Sequence, residues 1–142
     1  MTNKGKVFIG CGTMILIPVI ALIGLIVYIG SDKEYAEQHK IALEEGRSFG
    51  KTTDQNGCLQ KGLSWLGDIK QPTITQLALN GRFVSECLDA SKPVPNFCQN
   101  VPKVIVRDWI NEQCKIIGRK DDSICYVVFD EKTTFCTFKA GK

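Results

Sequence analysis

Residues 72–98, PTITQLALNGRFVSECLDASKPVPNFC, decide the fold because they combine a helix, a helix break and two cysteines. Apolar residues recur at intervals of three and four in the first part, which predicts a helix that begins near Pro72 and runs through Cys87. Pro93 and Pro95 then end the helix, since proline lacks a backbone N–H and restricts the residue before it. The stretch therefore predicts helices that cysteines tie together.

Six cysteines lie in the polar part of the chain, and an even set of this kind is typical of a disulfide framework. They are Cys58, Cys87, Cys98, Cys114, Cys125 and Cys136. Zinc is the alternative, but the chain has no C-x-x-C motif and its only histidine, His39, is distant from the cysteines in sequence. We therefore expect structural disulfides in an oxidising compartment, with no metal site.

Helix breaks favour one connectivity among those that six cysteines allow. Two cysteines eleven residues apart on one continuous helix would be separated by about 16 Å, too far for a disulfide, so a close pair needs a break between them. The prolines before Cys98 supply one break, and Gly118 supplies another. The predicted pairs are Cys87 with Cys98, Cys114 with Cys125, and Cys58 with Cys136.

Two more helices are predicted from apolar residues at helical spacing. The first follows a cap at Thr52 or Thr53 and carries Cys58. The second opens at Pro102. Its predicted apolar side consists of Val106, Trp109, Ile110, Cys114 and Ile117.

Residues 123–138, SICYVVFDEKTTFCTF, admit two interpretations. Their β-branched and aromatic content favours a hairpin that turns at Asp130 and Glu131, which would make the domain α+β. A helix is favoured instead, because capping residues precede the segment and a lone hairpin would need a sheet partner. The predicted fold class is therefore mainly α: a small disulfide-stapled helical bundle that follows one transmembrane helix.

That transmembrane helix is predicted at residues 7–29, VFIGCGTMILIPVIALIGLIVYI, which carry no charge and are long enough to cross a bilayer. The run exceeds the usual apolar core of a signal peptide, and no small-x-small cleavage site follows, so an uncleaved anchor is favoured over cleavage. Lys4 and Lys6 place the amino terminus in the cytoplasm by the positive-inside rule. The lipid bilayer is therefore a predicted partner, and Cys11 is an apolar residue of the span.

The chain is predicted to contain four segments. These are a cytoplasmic tail at 1–6, the signal anchor at 7–29, a juxtamembrane stalk and hinge at 30–51, and a cysteine-rich helical domain at 52–142 that is periplasmic or extracellular. The stalk helix is expected to end near Glu45, because Gly46 and Gly50 indicate a turn or hinge.

No motif in the chain identifies a reaction, a ligand or a cofactor. The part of the chain that follows the anchor is almost neutral and lacks a basic cluster, which argues against a nucleic-acid partner. The acidic pairs Asp121-Asp122 and Asp130-Glu131 are interpreted as caps or exposed turns rather than as catalytic acids. The large aromatics, Trp65, Trp109, Phe83 and Phe97, are interpreted as packing residues rather than as partner anchors.

The predicted function is a non-enzymatic binding or accessory protein with a protein partner in the cell envelope. One alternative is a membrane-complex assembly factor that works through its span. An atypical thiol oxidoreductase or a hydrolase is a weaker alternative.

Overall fold

The computed structural model describes residues 33–104 and 107–139, and every regular element in these ranges is a helix. Helix α1 covers residues 33–50. It is followed by α2 (Gln55–Ser64), α3 (Ile74–Ala90), α4 (Arg107–Ile116) and α5 (Ser123–Phe138). The prediction of a mainly helical, disulfide-linked chain is confirmed, and the alternative of a hairpin at 123–138 is wrong.

The chain divides into two compact units, residues 1–37 and residues 38–142. Of the first unit, the structure describes only the helical residues 33–37. The predicted tail at 1–6 and the predicted span at 7–29 lie outside the described residues, as does Val106. Within the described part of the chain, no helix has both the length and the apolar character that a membrane crossing requires.

Helix α1 continues through Gly46 and Gly50, so the predicted turn at these glycines is wrong. Both glycines are buried against the backbone of α3. A Cβ at Gly46 would lie 2.4 Å from the carbonyl oxygen of Phe83, and a Cβ at Gly50 would lie 2.5 Å from that of Cys87. The glycines therefore permit a close approach of two helices rather than a change of chain direction.

The helix starts follow local capping rules. At α3, Thr73 and Gln76 form a capping box, in which each side chain accepts a hydrogen bond from the other residue's backbone N–H. Asp54 caps α2 in place of the predicted Thr52 or Thr53. Asp122 caps α5, and its carboxylate accepts hydrogen bonds from two backbone N–H groups of the first turn. This cap explains why the ambiguous last segment is a helix.

The main core lies where α2, α3 and α5 meet. Gly62 of α2 is the contact point, because a Cβ there would lie 2.4 Å from Cγ2 of Val84 on α3 and 3.1 Å from Cγ2 of Val128 on α5. Phe83 and Leu88 fill the same cluster and are almost completely buried. A second, smaller cluster joins α4 to α5. It contains Ile110, Cys114, Cys125 and Phe129.

Three disulfides cross-link helices α2 to α5 and the loop after α3. They are Cys58–Cys87, Cys98–Cys136 and Cys114–Cys125, with Cα separations of 5.7, 5.4 and 5.9 Å. The third pair is the predicted one. The predicted pairs Cys87 with Cys98 and Cys58 with Cys136 are wrong.

The packing of α3 explains the two wrong pairs. Helix α3 ends at Ala90, before the prolines, as the sequence predicts. However, Cys87 lies on a buried face of α3 that contacts α2, so its sulfur meets Cys58. The loop after α3 instead carries Cys98 to the carboxyl-terminal end of α5, where it bonds Cys136.

The substitution Gly46→Ala should lower the free energy of unfolding of the oxidised protein by about 1–3 kcal/mol, because the new methyl group would overlap the α3 backbone and force the helices apart. Chemical denaturation followed by circular dichroism measures this change. Ser48→Ala is the matched control, since Ser48 lies on the same helix and is exposed. Equal stability of the two variants would contradict the close approach.

Candidate functional site

The best candidate for a functional site is a surface cleft of about 460 Å³ between α4 and the start of α5, which we call the α4–α5 cleft. Its walls include Leu77, Arg107, Asn111, Asp121, Tyr126 and Val127. The cleft thus combines apolar, aromatic and charged side chains from three helices and the turn that precedes α5. Such a mixture suits the recognition of another molecule.

The start of α5, which forms one wall of the cleft, is held by an ion pair. Arg119 donates from Nε to Oδ2 of Asp122 at 2.6 Å, and its Nη1 donates to the carbonyl oxygen of Leu63 at 2.7 Å. The other carboxylate oxygen of Asp122 accepts the hydrogen bonds that cap the helix. Because the Asp122 charge is balanced and both of its oxygens are bonded, this end of α5 is fixed. The prediction that the Asp121-Asp122 pair acts as a cap is confirmed for Asp122.

The opposite wall of the cleft is tied to α5 by covalent and aromatic contacts. The Cys114–Cys125 disulfide joins α4 to α5 from within the second core cluster. Next to it, Trp109 packs edge-on against Phe129, with ring centroids 6.2 Å apart. The two walls therefore keep a fixed separation.

Arg107 and Tyr126 lie close together in the cleft and are both accessible to solvent. The guanidinium carbon of Arg107 lies 6.0 Å from the centroid of the Tyr126 ring, at the outer limit of a cation–π contact. Arg107 is exposed and Tyr126 is partly exposed. Arginine and tyrosine are among the residue types that dominate binding energy in protein interfaces, so this pair is the chemically distinctive feature of the cleft.

Sequence reasoning did not find this pair. Arg107 and Tyr126 come from different helices, and no spacing in the sequence connects them. The four large aromatic residues named in the sequence analysis all make packing contacts, but their burial differs. Phe83 and Phe97 are buried, and Trp65 stacks on Phe83 with ring centroids 5.4 Å apart.

A second polar feature lies between α3 and α5, where Glu131 packs against Gly81. A Cβ on Gly81 would lie 3.1 Å from Oε1 of Glu131. Burial raises the pKa of Glu131, and the neighbouring charge of Asp130 adds to this shift, while Arg82, Lys139 and a hydrogen bond with Ser85 oppose it. Burial also raises the pKa of Asp130. The prediction that Asp130 and Glu131 form an exposed turn is therefore wrong, since both lie within α5 and are partly buried.

Asn80, next to Gly81 on α3, is completely buried, and neither its side-chain nitrogen nor its oxygen has a hydrogen-bond partner. An amide without partners in an apolar interior is destabilising. Sequence reasoning missed this residue because it lies within an otherwise ordinary amphipathic helix.

The described part of the chain places no group of three or more His, Cys, Asp or Glu side chains where they could hold a metal ion. The six cysteines with described positions all form disulfides. No protein-family model, curated protein or solved structure matches this chain. The function must therefore be argued from the geometry of the described residues.

Glu131 should make the protein less stable as the pH rises. Its pKa is raised in the folded state, so the stabilising protonated form is fully present below the ordinary value of 4.5 and is lost as the pH passes through the raised value. The substitution Glu131→Gln should reduce the decline to the part that the raised pKa of Asp130 contributes, and denaturation at a series of pH values measures the difference. Asp68→Asn, at an exposed position, controls for the loss of one charge. An unchanged pH dependence in Glu131→Gln would contradict the assignment.

Asn80→Leu should raise the free energy of unfolding by about 1–3 kcal/mol, because it removes an unsatisfied buried amide and adds apolar contacts. Denaturation of the oxidised protein measures the gain. Asn56→Leu is the matched control, since it makes the same change at an exposed position of α2 and provides the same gain in helix propensity. A larger gain at Asn56 than at Asn80 would show that the Asn80 amide does have a partner.

Proposed function

We propose that this chain is a non-enzymatic binding or accessory protein that presents the α4–α5 cleft to a protein partner in an oxidising compartment outside the cytoplasm. Three disulfides within one small helical unit are typical of extracellular or secreted domains. They support a periplasmic or extracellular location. They also support a scaffold role, because they hold the surface of the domain in one shape.

The main observation that supports the proposal is the Arg107–Tyr126 pair, whose two side chains belong to cleft walls with a fixed separation. A partner that covers this pair would desolvate an aromatic ring and a guanidinium group, which is the usual composition of an interface hot spot. Because the disulfide and the Arg119–Asp122 ion pair already fix the walls, little conformational entropy would be lost on binding.

Apolar surface next to the cleft extends the same face. Leu77 lines the cleft, and Ile74, one helical turn earlier on α3, is 87% exposed. Together, these two side chains add apolar area to the surface that a partner in the cleft would cover. A protein surface with its own apolar and acidic groups would fit this combination better than a small polar ligand.

The anchor is the remaining part of the proposal. Residues 7–29 are uncharged and long enough to cross a bilayer as a helix, and basic residues precede them. This pattern supports a single-pass anchor with a cytoplasmic amino terminus. The anchor would hold the binding unit close to the outer face of the membrane and would confine its search for a partner to that surface.

Site-specific photo-crosslinking of the full-length chain in its native membrane tests this function. A photo-reactive residue in place of Asn111, which is exposed in the cleft, should capture a discrete protein that mass spectrometry identifies. Tyr126→Ala should reduce this capture about tenfold or more, because hot-spot truncations commonly cost at least 1.4 kcal/mol.

Phe138→Ala provides the matched control, since Phe138 is an exposed aromatic at the other end of α5. A photo-reactive residue in place of Ser48 on α1 reports non-specific capture. Two results would contradict the proposal that the cleft is the binding surface. One is undiminished capture by the Tyr126→Ala variant, and the other is equal capture by photo-reactive residues at positions 48 and 111.

A further inference from the structure

The three disulfides differ in their access to solvent. The sulfurs of Cys58–Cys87 and Cys114–Cys125 belong to residues that are buried within the two core clusters. Cys98 and Cys136 are each partly exposed. Cys98 also borders a second surface cavity, of about 450 Å³, between the loop after α3 and the end of α5. Of the three disulfides, this one is therefore the most accessible to a thiolate from solution.

A cationic side chain contacts Phe97, the neighbour of Cys98 in the sequence. Lys132 lies one helical turn before Cys136 on α5, and its Nζ is 4.6 Å from the ring centroid of Phe97, the residue before Cys98. Lys139 borders the same cavity, but its ammonium is paired with Asp89. Lys132 is thus the better candidate to stabilise a thiolate at Cys98 or Cys136. A thiolate stabilised in this way is a better leaving group.

This bond is the covalent link between a defined segment and α5. The loop from residue 91 to residue 104 is tied to α5 by the Cys98–Cys136 disulfide. The loop has other contacts as well. Backbone hydrogen bonds join Lys92 to Thr53 and Gln55, and Val94 donates its backbone N–H to Oε1 of Gln55 at 2.9 Å. Phe97 is buried in the main core cluster and packs edge-on against Phe135 at 6.1 Å. The other two disulfides would still join α2 to α3 and α4 to α5.

We propose that Cys98–Cys136 is a thiol–disulfide exchange site that a dithiol, such as the reduced active site of a disulfide oxidoreductase, opens while the other two disulfides stay closed. One thiolate of the dithiol attacks Sγ of either cysteine and forms a mixed disulfide. The other cysteine leaves as a thiolate and takes up a proton. The second thiol of the dithiol then displaces the first cysteine, so the dithiol is oxidised and Cys98 and Cys136 become thiols.

Timed reduction of the full-length protein in detergent micelles tests the site. Cys11 is first blocked with one maleimide, dithiothreitol is added without denaturant, and samples are acid-quenched and alkylated with a second, heavier maleimide. Peptide mass spectrometry should show the second label on Cys98 and Cys136 well before any other cysteine. Simultaneous labelling of all six cysteines, or no labelling of Cys98 and Cys136 before denaturant is added, would overturn the proposal.

The role of Lys132 as a positioning residue has its own test. Lys132→Gln should slow the reduction of Cys98–Cys136 about threefold, since the leaving thiolate would have a higher pKa. Lys115→Gln is the matched control, because Lys115 is exposed on α4 and forms its ion pair with Glu112. Equal rates in the two variants would exclude Lys132 from the exchange.

The double substitution of Cys98 and Cys136 by serine tests the consequence of opening. This variant should still unfold cooperatively, because the remaining disulfides hold the helices, but a protease should cut it faster within residues 91–104 than it cuts the parent. Cleavage at the parent's rate would show that the loop does not depend on the disulfide.

Discussion

The close contact at Gly62 is the constraint on which the rest of the described structure depends. At this point α2, α3 and α5 approach so closely that Val84 and Val128 fill the space that a side chain would need. The Cys58–Cys87 disulfide lies about one turn away on both α2 and α3 and fixes their register. Because α5 is placed by this contact, the contact also sets the positions of Tyr126 and of Cys136.

Disulfides explain how so small a unit tolerates unfavourable local features. In a chain-entropy model each of the three cross-links contributes about 3–4 kcal/mol by restricting the unfolded chain. Against this background the fold retains a buried amide without partners at Asn80 and a left-handed backbone at Asp121, each of which costs stability. Asp121 borders the α4–α5 cleft, where such a cost is expected if the local shape serves binding.

Predictions from the sequence were correct for features that local rules determine and wrong for features that tertiary packing determines. The helix at 123–138 and the Cys114–Cys125 pair depend on a cap and on a short separation, and these predictions were correct. The start of α3 was predicted near Pro72, whereas the helix begins at Ile74, after the Thr73 cap. The backbone conformation at Gly46 and the disulfide partner of Cys87 depend on which helix faces pack together, and the predictions for both were wrong. The Arg107–Tyr126 pair of the candidate site belongs to the second kind, because it joins side chains of two helices across a cleft.

The two ends of α5 are stabilised by different means, and this difference separates the proposed binding surface from the proposed exchange site. The first turn is held by the Asp122 cap, the Arg119 ion pair and a buried disulfide, none of which involves the loop after α3. The last turns are held by an accessible disulfide and by the Phe97–Phe135 contact. Loss of the accessible bond would therefore remove the covalent link between the loop and α5, while the contacts that fix the walls of the cleft stay in place.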